Sequence, residues 1–151
     1  KKTKFVPEEN INELPDYPDH LDINEKPDDR HPFKLITPPA RHFLNSTFAN
    51  TKTSVQREQT PKLLINPDDA KKHNILKGAK VNVFNEQGKI DLIAEYESTL
   101  TTGLLVAESI WPNANFKDNL GINVLTSSKP IGVDGGVPFH DIKVGIRIAI
   151  N

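Results

Sequence analysis

Between Leu35 and Asn50 the chain reads LITPPARHFLNSTFAN, and Arg41, His42, Asn45, Ser46 and Thr47 fall within seven positions of it. A guanidinium, an imidazole, an amide and two hydroxyls form a polar surface suited to phosphate and sugar groups. The same residue types also make an ordinary surface turn. Covalent chemistry has less support. No Gly-x-Ser-x-Gly elbow marks a serine hydrolase, and Gly132, Gly135 and Gly136 do not form a Rossmann or Walker pattern. The histidines (His20, His31, His42, His73 and His140) show no helical i,i+4 pair and have no cysteine to supplement them, so no metal ligands are expected.

These side chains need a scaffold, and the flanking sequence supplies one. Phe33–Ile36 reads as a short apolar strand that stops at Thr37-Pro38-Pro39. Two prolines remove two backbone donors and push the preceding residues toward extended geometry. Residues 51–60 (TKTSVQREQT) show no clear period and are expected to continue the loop. Lys62–Ile65 is the next strand. Asn66-Pro67-Asp68-Asp69 then predicts a short helix ending near Asn74, with Asn as N-cap, Pro at the first position and Ala70 and Ile75 turned inward.

Lys77-Gly78 opens a hairpin. Val81 and Val83 alternate in one strand and Ile90, Leu92 and Ala94 in the other, with Glu86-Gln87-Gly88 as the turn. Thr101-Thr102-Gly103 leads into the strand Leu104–Ala107. The loop from Glu108 to Gly121 holds Trp111 and Phe116, and large aromatics in a loop either plug the end of a core or face a ligand. The plug is the favoured expectation. Ile122–Thr126 reads as an apolar strand interrupted by Asn123, and residues 127–140 are turn-rich. The closing strand, Asp141 to Ile150, alternates Ile142, Val144, Ile146, Ile148 and Ile150 with polar or small residues. Many short strands and little helix argue for a closed β-barrel.

Four stretches in order resemble the molybdopterin-dinucleotide-binding domain, the last domain of the large molybdenum and tungsten oxidoreductases. They are LITPPARHFLNSTFAN, LLINPDDAKKHNILKGAKVNVFNEQGKI, LTTGLLVAESIWP and INVLT…FHDIKVGIRIAI, together spanning about residues 31–150. The resemblance implies a mainly β fold, a six-stranded double-psi barrel with one or two short helices. It implies that Thr37, Arg41, His42, Asn45, Ser46 and Thr47 line a molybdopterin guanine dinucleotide from the first loop. Asn123 matches a family asparagine that contacts the polar edge of the cofactor. Trp111 falls in a loop with a family aromatic, which packs on the cofactor or closes the barrel. Phe139-His140 stands where many members carry Tyr-Lys, and that departure leaves the role of His140 open.

The family spans formate dehydrogenase, nitrate reductase and oxygen-atom-transfer members. Their molybdenum or tungsten is held by two pterins and often one protein ligand from another domain. The implied cofactor is therefore the bis form with the metal outside this chain, and the chain alone is expected to bind rather than catalyse. The implied partners are the remaining domains of the parent oxidoreductase. Two other readings stay open: a double-psi barrel serving as a protein interaction module without cofactor, and a small barrel enzyme with its own site.

Size and composition set the bounds. At 151 residues the chain is about one domain, with 36% hydrophobic and 26% charged residues. No apolar run approaches the roughly 18 residues of a membrane span. KKTKFVPEEN has no apolar segment after its charges, so no signal peptide is expected and a cytoplasmic location is. The absence of cysteine excludes disulfides and iron–sulfur ligation from within the chain. The lysine at position 1 suggests an excised piece of a longer protein. Residues 1–30 carry five Lys/Arg against nine Asp/Glu, with four prolines, and read as an extended acidic arm or linker. Residues 31–151, the expected barrel, hold fourteen against eleven. A mildly basic body suits an anionic small ligand and falls short of a nucleic-acid footprint.

Overall fold

The computed structural model describes residues 25–130, 137 and 139–149. The elements run β1 (Phe33–Ile36), α1 (Lys52–Glu58), β2 (Lys62–Ile65), α2 (Pro67–Lys72), β3 (Lys80–Phe84), β4 (Lys89–Tyr96), β5 (Leu104–Val106) and β6 (Ile142–Ile148). Two 3₁₀ turns, Asn113–Asn115 and Ile122–Leu125, lie between β5 and β6.

The six strands close a barrel in the order β1-β5-β2-β4-β3-β6. β1 runs parallel to β5 and β2 parallel to β4, while the remaining neighbours are antiparallel. Exchanging β1, β2 and β3 for β4, β5 and β6 reproduces the same order and the same parallel pairs. This internal two-fold relation is that of a double-psi barrel, and it is carried by the connections, since the sequence shows no repeat.

Alternation decides which side chains fill the interior. Phe33 and Leu35, Leu63 and Ile65, Val81 and Val83, Ile90, Leu92 and Ala94, Leu105, and Ile142, Val144 and Ile146 are all buried. Inward-facing side chains fill a small barrel completely, so closure and core packing are one event. Gly145 is required within β6: a Cβ there would stand 2.5 Å from Phe84 Cζ and 2.7 Å from the Arg30 carbonyl oxygen.

The predicted α2 forms as its cap dictates. Asn66 Oδ1 accepts from the Asp68 N–H at 2.8 Å, while its Nδ2 donates to the Leu100 carbonyl at 2.7 Å. The helix ends at Lys72 with His73 as C-cap, slightly before the expected end, and Ala70 and Ile75 are buried as predicted.

Two expectations are corrected. Residues 52–58 form α1 rather than loop. With Val55 as the only large apolar side chain in TKTSVQRE, periodicity could not mark this helix; a tertiary contact from Glu58 ties it down. Ile122–Leu125 is a 3₁₀ turn rather than a strand. Ile122 and Leu125 are both buried and three apart, which is the spacing of one 3₁₀ turn. The expected Gly135-Gly136 turn lies outside the described residues.

Candidate binding site at the end of the parallel β1 and β5 strands

The polar loop begins where the parallel pair ends. β1 and β5 stay in register through Ile36 and Val106, and the pairing then continues into their loops. Ala107 N–H donates to the Ile36 carbonyl at 3.0 Å and Ser109 N–H to the Pro38 carbonyl at 2.8 Å. Proline interrupts donation from the first loop but not acceptance by its carbonyls, so the loop after β5 supplies the N–H groups. The buried Ser109 also donates its hydroxyl to the Asn45 carbonyl at 2.8 Å. The 37–47 loop is thus sewn to the 107–111 loop along its length.

Behind this seam sits an aromatic pair. Phe43 and Trp111 are buried and meet edge to face, with centroids 4.8 Å apart. Trp111 and Phe116 are both buried in the core cluster.

The loop's backbone is unusual at three points. Asn45 (φ 52), Phe48 (φ 68) and Ser109 (φ 69) are left-handed. Asparagine adopts this region readily, but a bulky Phe does not. Left-handed non-glycine residues concentrate at binding sites, where surrounding structure holds them. Leu44 and Thr47 exchange both backbone hydrogen bonds, closing the tight turn that holds Asn45.

His42 is fixed by a residue that sequence reasoning passed over. Its backbone N–H and its ring Nδ1 both reach Glu58 Oε1, at 2.8 and 2.7 Å. With Nδ1–H donating to the carboxylate, Nε2 of the ring remains for a ligand. Only the fold could reveal Glu58, because its signal depends on α1 returning to the loop.

His140 arrives from the far end of the chain. Its Nδ1 lies 3.2 Å from Thr37 Oγ1, a hydrogen bond between residues 103 positions apart. Thr37 Oγ1 also reaches the Phe139 carbonyl at 3.5 Å. Phe139 and His140 rings are tilted against each other at 4.3 Å. The fold therefore brings Thr37, Phe139 and His140 together, while Arg41, Asn45, Ser46 and Thr47 lie exposed on the adjoining loop. Asn123 is placed elsewhere on the rim: it is exposed in its own 3₁₀ turn over the β3–β4 hairpin, where Asn85 Nδ2 donates to the Leu125 carbonyl at 2.7 Å.

Two other features lie apart from this loop. A cleft of about 340 Å³ is lined by Asn82, Asp91, Phe116, Lys117, Leu120 and Arg147, among others, and no predicted site residue borders it. Concavity alone would therefore point away from the polar loop; the convergence of donors is the stronger signal, because polar recognition rests on placed groups. The second feature is a charged cluster of Asp28, Glu86 and Lys143. Hydrogen bonding to Lys143 and to the backbone of His31 holds the Asp28 carboxyl down at about 2, and Asp28 and Glu86 push the Lys143 ammonium up.

Residues 33–143 match the family described as Molydopterin dinucleotide binding domain. The chain belongs to this family. A probable oxidoreductase, YoaE of Bacillus subtilis (strain 168), is 37% identical over 120 residues, covering 80% of this chain and 18% of the relative. The dimethyl sulfoxide reductase DmsA of Escherichia coli (strain K12) is 30% identical over 138 residues, covering 86% of this chain and 16% of the relative. The chain therefore spans under a fifth of the length of these relatives. Among solved structures, acetylene hydratase from Pelobacter acetylenicus superposes with a TM-score of 0.67 at 14% identity, over 79% of this chain and 18% of that one, a likeness of fold. The molybdopterin-dinucleotide-binding barrel expected from the four motifs is thereby established. No helix among the described residues is long and apolar enough to cross a membrane.

Proposed function

We propose that this chain is the cofactor-holding domain of a larger oxidoreductase, and that its 37–47 loop binds a molybdopterin guanine dinucleotide. One observation carries the reading: the hydrogen bond between Thr37 Oγ1 and His140 Nδ1, which joins the first loop to the approach of the last strand beside a run of exposed donors. The donor set fits the group. Thr37, Ser46 and Thr47 offer hydroxyls to sugar and phosphate oxygens, Arg41 offers a bidentate cation, and Asn45 offers an amide to a ring edge, while Asn123, on its separate turn, is assigned a contact only by the family resemblance. His42, oriented by Glu58, and His140, oriented by Thr37, each present a ring nitrogen with a set direction.

When bound, the cofactor with its molybdenum or tungsten supplies two-electron redox or oxygen-atom transfer. This chain's own part is to bind and orient. Trp111 keeps the barrel end packed beneath the loop, so the exposed donors stand on a rigid base. Leu44 and Phe48, each 59% exposed on the same loop, suit burial against neighbouring domains of the parent protein, and a cytoplasmic setting goes with that reading.

The test uses the full-length parent enzyme, purified anaerobically. Metal and guanine nucleotide released by acid are measured for wild type, His42→Ala and Asn45→Ala. Both should be present in the wild type and fall together in the variants. A well-folded full-length protein lacking both would sink the reading, and the cofactor-free interaction module would replace it.

A further inference from the structure

Away from the polar loop, one buried side-chain nitrogen among the described residues makes no hydrogen bond. His31 lies just before β1, 2% exposed, with its ring edge-on to Phe84 at 5.8 Å. Its Nδ1 is sealed from solvent and makes no hydrogen bond. Buried polar atoms of side chains are nearly always satisfied, and an orphan calls for an explanation. Two carboxylates stand close by: Asp28 Oδ1 at 3.2 Å and Glu86 Oε1 at 3.6 Å, near enough for ion pairing but without hydrogen-bond geometry. Asp28 Oδ1 is already engaged by the backbone N–H groups of Arg30 and His31, at 3.0 and 2.7 Å.

One donor atom from each of Asp28, His31 and Glu86 lies within 4.8 Å of the others. An imidazole nitrogen with two carboxylate oxygens is a ligand set that zinc and its neighbours accept, with water completing the shell. We propose that Asp28, His31 and Glu86 form a binding site for a divalent transition-metal ion of the zinc class. The ion would satisfy the orphaned Nδ1 and tie the segment before β1 to the turn between β3 and β4.

Lys143 is the built-in competitor. Its ammonium bridges the same carboxylates, 2.9 Å from Asp28 Oδ2 and 3.1 Å from Glu86 Oε1. It carries one charge on a flexible stem, and it engages the two carboxylates while His31 Nδ1 stays without a hydrogen bond. A divalent ion brings two charges and uses all three ligands, so it displaces the ammonium toward solvent. No spacing rule marks this set, since Glu86 is far from Asp28 and His31 along the chain and no helical spacing links them.

The test is calorimetric titration of zinc chloride into the metal-free 151-residue chain near neutral pH, with thermal melting in parallel. Asp28→Asn and Glu86→Gln alter half-exposed side chains and leave the core intact. The wild type should bind one zinc ion and melt higher with it. Each variant should lose about tenfold or more in affinity, the scale seen when a metal's supporting groups are removed. Lys143→Met should bind more tightly than wild type. No binding by the wild type would overturn the proposal, and so would equal affinity in the wild type, Asp28→Asn and Glu86→Gln, which would move the ion to other histidines.

Discussion

His42 and Glu58 share a single oxygen. Two donors of His42, one from the backbone and one from the ring, converge on Glu58 Oε1 at 2.8 and 2.7 Å, and Glu58 is only 15% exposed. The contact joins the polar loop to a helix that has no buried residue of its own. Loop geometry and helix stability are therefore one property here.

Glu58→Ala should destabilise the chain by about 1–3 kcal/mol, because it leaves two partly buried donors of His42 without an acceptor. Glu58→Gln keeps an acceptor oxygen and should lose less. Urea denaturation orders the three proteins. Coincident midpoints would show that the contact contributes nothing to folding.

Trp111 packs edge-on against Phe43 within the core. Trp111→Ala should cost about 3–5 kcal/mol, the range for removing a large buried aromatic. Trp111→Phe should cost less, since the ring contact survives. A Trp111→Ala chain as stable as wild type would mean that the loop rests on the barrel without holding it.

Asn66 does two jobs with the two halves of its amide. Asn66→Ala removes the α2 cap and should cost about 1–2 kcal/mol. Asn66→Asp retains the capping oxygen but turns a carboxylate oxygen, in place of the donor, toward the Leu100 carbonyl, so it should lose stability as well. Asn66→Ala removes both bonds, and a chemical-denaturation midpoint of either variant equal to that of the wild type would show that they contribute nothing.

The turn after β4 holds a hydrogen-bonded carboxylate. The Glu97 carboxyl lies below its ordinary value of 4.5, because the Thr99 hydroxyl and then the Thr99 N–H donate to it. A depressed carboxyl stabilises the fold above its unfolded value and loses that contribution as pH falls through the lowered one. The stability difference between wild type and Thr99→Ala should be full above about pH 5 and fade in stronger acid. Melting temperatures of both proteins across that range give the result. A difference that persists unchanged in strong acid would assign the effect to something other than the carboxylate.

Gly145→Ala should be among the most damaging methyl additions, since the Arg30 backbone blocks the new Cβ as firmly as the Phe84 ring does. A loss of about 1–3 kcal/mol is expected for such overpacking. At Gly88 the nearest obstacle is a side-chain methyl of Val124, at 2.7 Å, which can turn aside. Gly88→Ala should therefore cost less, and the reverse order in thermal melts would contradict the packing described.

The sequence by itself determined what local chemistry controls. Alternation placed the core of β3, of β4 and of β6 as far as Ile146, because a strand shows every second side chain to one face, whereas Ile148 is exposed and Ile150 lies outside the described residues. Asn66-Pro67 announced α2, because cap and first-turn preferences are local. The order of four motifs identified the family, and that identification supplied a topology that periodicity could not.

Tertiary structure decided the rest, and in each case the deciding force acted between residues distant along the chain. α1 is invisible in TKTSVQREQT because a carboxylate bond to His42 substitutes for an apolar face. Ile122–Leu125 looked like a strand because an apolar run does not reveal its period when only two of its residues turn inward. Barrel closure set His140 against Thr37 and Glu86 beside His31, and the return of α1 within the β1–β2 connection set Glu58 against His42, pairings that no spacing rule could have foreseen. What the chain carries locally is the list of donors and acceptors. Which of them meet follows from the crossing of six strands, since only closure fixes distances between residues a hundred positions apart.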